Sequence, residues 1–545
     1  MNSPAERTKR LSLKEKIGQM LVVGFGAGTD GEKALRRVVS ETSAGNIILF
    51  ARNTPDAQTA ARSAAFARAL VETETGIAPL VSIDQEGGIV ARISRGITPL
   101  PGAMALSAGS SPDEVTALCA AVAHDLRDLG MDWNLGPVAD VNVNPANPVI
   151  GVRSFGGDPQ RVAEYATAWF VGMRAGGVAC CAKHFPGHGD TSVDSHLDLP
   201  EIAHSMERLE AVELVPFRAL IAAGVPSVLT AHVRFPAVEP RPLPATLSPA
   251  VIQGLLRGSL GFRGVVVTDC MEMKAIADHF PDAAVMAVEA GVDMVMVSHT
   301  AEVQIEAAHR ILAAVLSGRI PESRIDESVG RILAMKDRVS AIPGSAGACA
   351  GALELARRLS AQSLSFAGTA PFPGLSSGGF YIDVLPAKIT RAEDAAFEAE
   401  KSPAQAIAGS ILSRLSGSHW KGCVIPARPT EDAVSDCLGI LDTFLCANAG
   451  SGLPVVFGLY NAASDPSQFA LAQKTASRCR AAGYPFACIS TRSPYDASIF
   501  PDVAVVCAYE YTELSARSVA AFLSGEIGAT GVYPVKINDL NERPS

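Results

Sequence analysis

Short apolar runs alternate with stretches of helical spacing from residue 12 to about residue 340. Each run has the length of a buried strand, and each intervening stretch is long enough for a helix. The eight predicted strands are Met20–Phe25, Asn46–Phe50, Leu80–Asp84, Met131–Leu135, Val178–Lys183, Ser227–Thr230, Gly264–Asp269 and Asp293–Val297.

The segments between these runs place apolar residues at helical intervals, and one of them carries a clear start signal. Ser248 precedes Pro249, which combines an N-cap residue with proline at the first helical position. The predicted helices are Asp30–Glu41, Asp56–Thr73, Pro112–Leu129, Pro159–Ala175, Met206–Ala223, Ser248–Leu260, Ala283–Ala290 and Ala301–Leu316.

Eight strand–helix repeats favour a parallel (β/α)8 barrel of the TIM type over an open doubly wound sheet. Counting repeats does not separate the two architectures, but the positions of polar residues do. Asp84, the pair Lys183-His184 and Asp269 each end a different predicted strand. In a barrel these ends meet at one mouth, whereas an open sheet spreads them along an edge. We therefore predict an α/β chain whose residues 1–340 form a barrel.

A second domain is predicted after a stretch of small residues. Ile342–Gly347 has the composition of a linker, and we assign residues 341–370 to it. Residues 371–545 then form a smaller α/β sandwich domain with its own strands and helices. The candidate strands are Val424–Ile425, Val455–Leu459, Phe486–Ile489 and Val503–Cys507, with a helical pattern at Ala470–Ala482.

Charge and cysteine content narrow the function classes. The 545 residues carry a net charge of −10 without a basic block, so neither nucleic acid nor an anionic membrane surface is an expected partner. No apolar run reaches the length of a membrane span, and Met1–Leu13 lacks the apolar core of a secretory signal. The eleven cysteines include no C-x-x-C pair. We expect buried free thiols and a cytoplasmic location.

The segment Lys183–His196 concentrates titratable groups directly after a predicted strand, which is a common position for an active site. His184, His188 and His196 have a spacing that could suit a metal. The proline and the glycine between the first two histidines exclude a helix, so their rings are not held on one face. We therefore predict an active-site loop without a metal.

A glycine pattern near the N-terminus is compatible with a dinucleotide-binding turn. Gly26–Gly31 lies between a predicted strand and a predicted helix. The second strand, however, is followed by Ala51-Arg52-Asn53, which offers no acidic residue for a ribose hydroxyl. Arg52 could meet a 2′-phosphate, but a simple turn accounts for the glycines, and no cofactor is expected.

Five segments, in order along residues 12–340, resemble glycoside hydrolase family 3, and most closely its bacterial β-N-acetylglucosaminidase branch. They are Ile47–Asn53, Ile83–Gly88, Arg153–Gly156, Lys183–His196 and Thr268-Asp269. The resemblance implies removal of terminal N-acetylglucosamine from cell-wall muropeptides or chito-oligosaccharides in peptidoglycan recycling. One departure is Cys270-Met271 after Asp269, where many members have Asp or Ala followed by Leu.

By position, the resemblance makes Asp269 the nucleophile and His196, supported by Asp194, the general acid/base. The residues that it implies for holding the sugar hydroxyls and shaping the pocket are Asp84, Arg92, Arg153, Lys183 and His184. These types suit a retaining glycosidase, which needs a nucleophile on one face of the anomeric carbon and an acid near the leaving oxygen. Histidine, with an unperturbed pKa of about 6.5, can donate and accept a proton near neutral pH.

Three alternatives remain open from the sequence. A β-glucosidase would take its acid from the second domain, where Glu510 and Glu513 are the candidates. A phosphorylase would use phosphate as the acceptor. Phosphate could approach the glycosyl-enzyme because a neutral histidine does not repel it as a carboxylate would. A non-catalytic sugar-binding protein would be expected to have lost the nucleophile or the dyad, and both are present.

Overall fold

The computed structural model describes residues 3–192, 199–341, 350–367, 371–375, 377–387, 393, 409–416 and 418–536. Over these residues the chain forms a barrel domain followed by a second α/β domain. In chain order the strands of the first domain are β1 (Leu21–Val23), β2 (Asn46–Leu49), β3 (Leu80–Ile83), β4 (Gln85–Gly87), β5 (Val90–Ala91), β6 (Trp133–Asn134), β7 (Ala179–Phe185), β8 (Ser227–Thr230), β9 (Val265–Thr268) and β10 (Val295–Val297).

Eight of these strands form one parallel sheet in the order β10-β1-β2-β3-β6-β7-β8-β9. A parallel bridge between Val267 and Met294 joins its two outer strands, with Thr268 N–H donating to Met294 O at 3.0 Å. The predicted barrel is thus confirmed, and its strands match the prediction to within two residues at each end. Every residue of the eight strands is buried, which explains why they appear in the sequence as short apolar runs.

Helices surround this sheet, and most follow the predicted segments closely. Ser248 caps the predicted start, since its hydroxyl accepts the N–H of Val251 at 3.1 Å, and the turns that follow at Ala250–Ser259 are of the π type. The α-helices of the first domain are Pro4–Thr8, Leu13–Gln19, Gly28–Thr42, Ala57–Thr75, Ala103–Gly109, Pro112–Asp128, Pro159–Ala175, Met206–Ala211, Leu214–Ala222, Lys274–Ala277, Ala283–Ala290, Ala301–Leu316 and Glu322–Ala341.

The prediction of one helix over Met206–Ala223 is wrong, because the segment forms two helices. Pro216 has no N–H to donate, and its ring would clash with the carbonyl of Val212 in a continuous helix. The backbone leaves the helical region at Val212, where φ is −129° and ψ is −71°. The second helix begins at Leu214, so that Pro216 lies in its first turn. Glu213 is thereby placed in the break between the two helices.

The second domain contains one mixed sheet in the order β11-β16-β15-β14-β12-β13. Only β11 runs antiparallel to its neighbour. The strands are β11 (Ser365–Ala367), β12 (Gly379–Leu385), β13 (Trp420–Pro426), β14 (Val455–Leu459), β15 (Phe486–Ser490) and β16 (Ala504–Cys507), and the helices are Ala352–Gln362, Ile411–Arg414, Glu431–Ala447, Pro466–Ala482 and Glu513–Leu523. Helix Ala352–Gln362 and strand β11 lie within residues 341–370, so the second sheet begins before residue 371.

The two domains share packing and hydrogen bonds. Met104, Ala105 and Ala108, from the short helix Ala103–Gly109, belong to the apolar core of the second domain. The carboxylate of Glu510 accepts the main-chain N–H of Gly102 at 2.6 Å. Among the described residues, no helix has both the length and the apolar composition needed to cross a membrane.

Candidate active site

Asp84 follows the last residue of β3 at the mouth of the barrel. Its Oδ1 accepts a hydrogen bond from Lys183 Nζ at 2.8 Å, and its Oδ2 accepts one from Arg92 at 3.1 Å. Burial alone would raise the pKa of this carboxyl, but the charges of Lys183 and Arg92 hold it well below its usual range. Asp84 is therefore a charged acceptor at neutral pH.

Glu86 is the second carboxylate of this mouth. Arg153 binds it in a bidentate manner, with Nε and a terminal nitrogen at 2.9 and 2.8 Å from its two oxygens. Lys183 Nζ lies 2.6 Å from Glu86 Oε1. Burial would raise the pKa of Glu86, yet the charges of Arg153 and Lys183 lower it to about 2. Lys183 thus bridges two ionised carboxylates.

The hairpin formed by β4 and β5 carries Glu86 on its first strand and is followed by Arg92. Asn134, at the end of β6, fixes the start of the hairpin by accepting the N–H of Gln85 and donating to its carbonyl, both at 2.9 Å. The side chain of Gln85 closes the other end through two hydrogen bonds of 3.0 Å to the main chain of Ile93. These bonds hold the two charged side chains in place.

Asp140 organises the histidines that follow β7. Its carboxylate lies 2.8 Å from His184 Nδ1 and accepts the main-chain N–H of His188 at 2.6 Å. His184 Nε2 faces Arg153 at 3.5 Å, so the ring connects Asp140 to the mouth. Nδ1 of His188 lies 2.9 Å from the hydroxyl of Thr191, and burial together with the nearby His184 lowers the pKa of His188 to about 4. His188 is therefore neutral at neutral pH.

Asp269 follows the last residue of β9 at the same end of the barrel. Thr268 pairs with Thr230 of β8, and Thr230 pairs with Phe185 of β7. Asp269 consequently lies just beyond the level of Phe185, the last residue of β7, two strands away from it.

Two side chains hold the main chain at Cys270 in place: that of Asp269 and that of His232. Asp269 Oδ1 accepts the N–H of Cys270 at 2.7 Å. His232 lies just beyond β8, with Nε2 3.1 Å from the carbonyl of Cys270 and Nδ1 2.9 Å from the hydroxyl of Thr246. The residue at the position where this chain departs from the family pattern, Cys270, is buried and bonded through its main chain.

The structure therefore brings five predicted site residues into one connected group: Asp84, Arg92, Arg153, Lys183 and His184. It places Asp269 at the same mouth. Asp194 and His196 lie outside the described residues. Such a group can present charged donors and acceptors, already ordered by one another, to the hydroxyls of a sugar.

Three residues that hold the mouth and the segment after Asp269 in place were not predicted from the sequence: Glu86, Asp140 and His232. Glu86 stands two residues after Asp84, and His232 stands two residues after a predicted strand, so position at a strand end was the available signal for both. Asp140 had a weaker signal, because it lies in an irregular segment after β6 whose path cannot be read from periodicity.

The structure also shows what occupies the histidines considered for a metal and the arginine considered for a 2′-phosphate. His184 and His188 are engaged with Asp140. Of the described side chains, the set that could hold a metal ion is instead Asp190, His204 and Glu213. Arg52 donates to the carbonyls of Phe25 and Ser298 at 2.8 and 3.0 Å, which is a structural use.

Neither candidate glutamate of the second domain has the setting of a mouth-facing acid. Glu510 is 2% exposed and accepts from Gly102 N–H and from the Thr512 hydroxyl. Glu513 is exposed and forms ion pairs with Arg414 and Arg517. Both carboxylates therefore serve contacts within the protein.

A barrel with paired charges at its mouth and a strand-end aspartate is compatible with a glycoside hydrolase. The family model described as the N-terminal domain of glycosyl hydrolase family 3 matches residues 12–335. The chain belongs to this family.

Individual proteins with glycosidase names are similar to this chain as well. A beta-hexosaminidase of Stenotrophomonas maltophilia (strain R551-3) is 38% identical over 300 residues, covering 54% of this chain and 87% of that protein. Beta-hexosaminidase A of Pseudoalteromonas piscicida is 32% identical over 369 residues, and the match covers 60% of this chain and only 62% of that protein. A solved family 3 beta-N-acetylglucosaminidase from Paenibacillus sp. str. FPU-7 superposes with a TM-score of 0.86 at 38% identity, covering 97% of this chain and 99% of that one. Both domains are thus part of the similarity.

Proposed function

We propose that this chain is a retaining β-N-acetylglucosaminidase that releases non-reducing terminal N-acetylglucosamine from cell-wall-derived muropeptides or chito-oligosaccharides. The observation that carries the proposal is the connected charge group at the barrel mouth, in which Lys183 bridges Asp84 and Glu86. The names of the relatives, beta-hexosaminidase and beta-N-acetylglucosaminidase, support this substrate class.

The charge group suits a sugar ligand because each of its members has a fixed partner before the substrate arrives. Burial would lower the pKa of Lys183, but Asp84 and Glu86 raise it, so the ammonium remains charged. Charged donors and acceptors form stronger hydrogen bonds to hydroxyls than neutral ones do. Because they are already ordered, little conformational entropy is lost on binding.

Asp269 is the nucleophile in this proposal. Its carboxylate oxygen attacks the anomeric carbon while the bond to the leaving oxygen breaks, which yields a glycosyl ester and the aglycone. Water then attacks the same carbon from the opposite face, and Asp269 departs as a carboxylate. Two inversions give net retention of configuration.

His196 supplies the proton to the leaving oxygen and later accepts one from the attacking water. Asp194 fixes the tautomer of the imidazole and stabilises its charged form, as a carboxylate does in other dyads. These two roles rest on the family pattern of the Asp194-Ser195-His196 segment.

Replacing the nucleophile tests the proposal most directly. We expect Asp269→Ala to lose nearly all turnover of an aryl N-acetylglucosaminide, because no covalent intermediate can form. Asp278→Ala, an exposed aspartate nine positions further along, is the matched control and should retain full activity. Wild-type turnover of an aryl glucoside that exceeds that of the N-acetylglucosaminide, or an active Asp269→Ala variant, would contradict the proposal.

The proton donor is tested by the leaving group. We expect His196→Ala to slow the hydrolysis of a substrate with a poor leaving group far more than that of an activated aryl glycoside, because only the former needs protonation to depart. Kinetics on both substrates measure this difference. An equal loss on the two would remove His196 from the role.

Water is the acceptor in this proposal, and the alternative acceptor is phosphate. Product analysis after turnover in phosphate buffer and in a phosphate-free buffer separates the two. Free N-acetylglucosamine in both buffers is the expected result, whereas a sugar 1-phosphate formed only in phosphate would replace the hydrolase by a phosphorylase.

We also propose a cytoplasmic location. The cysteines among the described residues are free thiols, and nearly all of them are buried. Reduced thiols in this number fit a reducing compartment.

A further inference from the structure

Three side chains outside the charge group converge on one point beside the segment that follows β7. Asp190, His204 and Glu213 each offer one ligand atom, and these atoms all lie within 4.8 Å of one another. We refer to these three residues as the 190/204/213 cluster. His204 Nε2 is in hydrogen-bond contact with Asp190 Oδ2.

Glu213 is the fixed member of the cluster. It lies in the helix break caused by Pro216, and its side chain is only 2% exposed. Arg208 holds it, with one guanidinium nitrogen 2.9 and 2.8 Å from the two carboxylate oxygens. Gly187 packs against it so closely that a Cβ at this glycine would lie 2.9 Å from Glu213 Cβ. The carboxylate is therefore buried, oriented and backed by main chain.

Solvent reaches the cluster through its other two members, because the side chains of His204 and Asp190 are 37% and 20% exposed. A cation can consequently enter from one side. The two carboxylates and the single Arg208 guanidinium leave one net negative charge, which a dication would more than neutralise.

The donor set favours a particular kind of cation. One imidazole nitrogen with two carboxylate oxygens suits Zn²⁺ and its neighbours, whereas Mg²⁺ and Ca²⁺ prefer oxygen ligands alone. Zn²⁺ binds such atoms at about 2.0–2.2 Å, which places tetrahedral ligands about 3.3–3.6 Å apart. The ligand atoms of the cluster lie within 4.8 Å of one another, so reaching these distances requires a rearrangement of the partly exposed side chains of His204 and Asp190.

We propose that Asp190, His204 and Glu213 bind one Zn²⁺ ion, or a similar transition-metal dication, with water in the remaining position. Arg208 is then an outer partner that orients Glu213, in the way that hydrogen-bonded groups orient other ligating carboxylates. The ion replaces the hydrogen bond between His204 and Asp190 and ties residues 190 and 204 together more firmly. This site lies outside the group assigned to sugar binding and catalysis.

Titration of the tag-free, chelator-treated full chain with Co²⁺ and Zn²⁺ tests the proposal without substrate. We expect one Co²⁺ per chain, with the visible absorption of a four- or five-coordinate ion, and displacement of that absorption by Zn²⁺. Because the metal binds the folded chain and not the unfolded one, the melting temperature should also rise as the metal concentration rises. A chain that takes up no stoichiometric metal would overturn the proposal.

Two single substitutions locate the site. We expect His204→Ala and Asp190→Asn each to weaken Co²⁺ binding by at least about tenfold. Both replaced side chains are partly exposed, so both variants should fold, which circular dichroism checks. His309→Ala removes an exposed histidine from helix Ala301–Leu316 and should bind as the wild type does. Unchanged binding in either His204→Ala or Asp190→Asn would assign the metal to other residues and refute the site.

Discussion

At the scale of single residues, the mouth of the barrel depends on charges that compensate one another. Glu86 shows this most clearly, because it satisfies Arg153 through two hydrogen bonds and Lys183 through a third contact. The family resemblance implies roles for both cations but not for Glu86. The position of Glu86 depends on the hairpin geometry, which sets the distance between a strand end and the side chains beyond it.

Removing the charge of Glu86 should therefore cost more than removing a surface charge. For Glu86→Gln we expect a loss of about 3–5 kcal/mol of unfolding free energy, since Arg153 and Lys183 are left as buried cations with one carboxylate fewer. Urea denaturation measures this change.

Glu289→Gln is the control for that substitution. Glu289 pairs with Arg319 at the surface, where an ion pair contributes about 0–1 kcal/mol. Equal losses in the two variants would contradict the view that Glu86 is needed for charge compensation.

At the scale of elements, the strands and most helices could be predicted because their signals are local. Buried strands produce apolar runs, and caps such as Ser248 mark helix starts. The helix break at Val212 was missed although Pro216 was visible, because apolar periodicity continues across it. Contacts between helices leave a fainter signal in the sequence. Helices Pro112–Asp128 and Pro159–Ala175 approach closely at Gly172, where a Cβ would lie 2.4 Å from the carbonyl oxygen of Thr116.

Two glycine-to-alanine substitutions separate helix propensity from this close approach. Alanine is favoured over glycine in a helix interior by about 0.5–1 kcal/mol. At Gly330, in helix Glu322–Ala341, an added Cβ meets no atom within 4 Å, so Gly330→Ala should stabilise the chain by about this amount. Gly172→Ala should instead destabilise it by about 1–3 kcal/mol, because the helices must move apart. Thermal unfolding measures the change in stability of each variant. If both substitutions stabilised the chain, the two helices would be able to move apart at no cost, which would contradict the prediction for Gly172.

At the scale of the whole molecule, the second domain was predicted as an α/β unit, but its attachment to the barrel was not. The sequence of the second domain contains no diagnostic motif. Contacts with the barrel, such as that between Glu510 and Gly102, join residues far apart in the chain. Gly88, in the turn between β4 and β5, also lies beside Glu510, since a Cβ there would be 2.6 Å from Glu510 Oε2. Glu510 thus lies against the hairpin that carries Glu86.

This contact should depend on pH. Burial raises the pKa of Glu510 from 4.5 to about 7. The contribution of its protonated form to the free energy of unfolding is therefore complete below pH 4.5 and is lost as the pH rises through about 7. Glu510→Gln cannot ionise, so the stability of the wild type relative to this variant should fall across that range.

Chemical denaturation at several pH values measures the difference between the two proteins. Glu526→Gln, at an exposed position of the same domain, should keep a constant difference from the wild type. A constant difference for Glu510→Gln as well would mean that the buried carboxyl does not titrate with folding.

The short helix Ala103–Gly109 has a consequence for how this architecture can be taken apart. Its chain segment belongs to the barrel, yet Met104, Ala105 and Ala108 fill the interior of the second domain. Cutting the chain near residue 341 would leave a gap in one fragment and an uncovered apolar helix on the other. The two halves are therefore not interchangeable modules: any recombination between family members must carry residues 103–109 together with the domain that they complete.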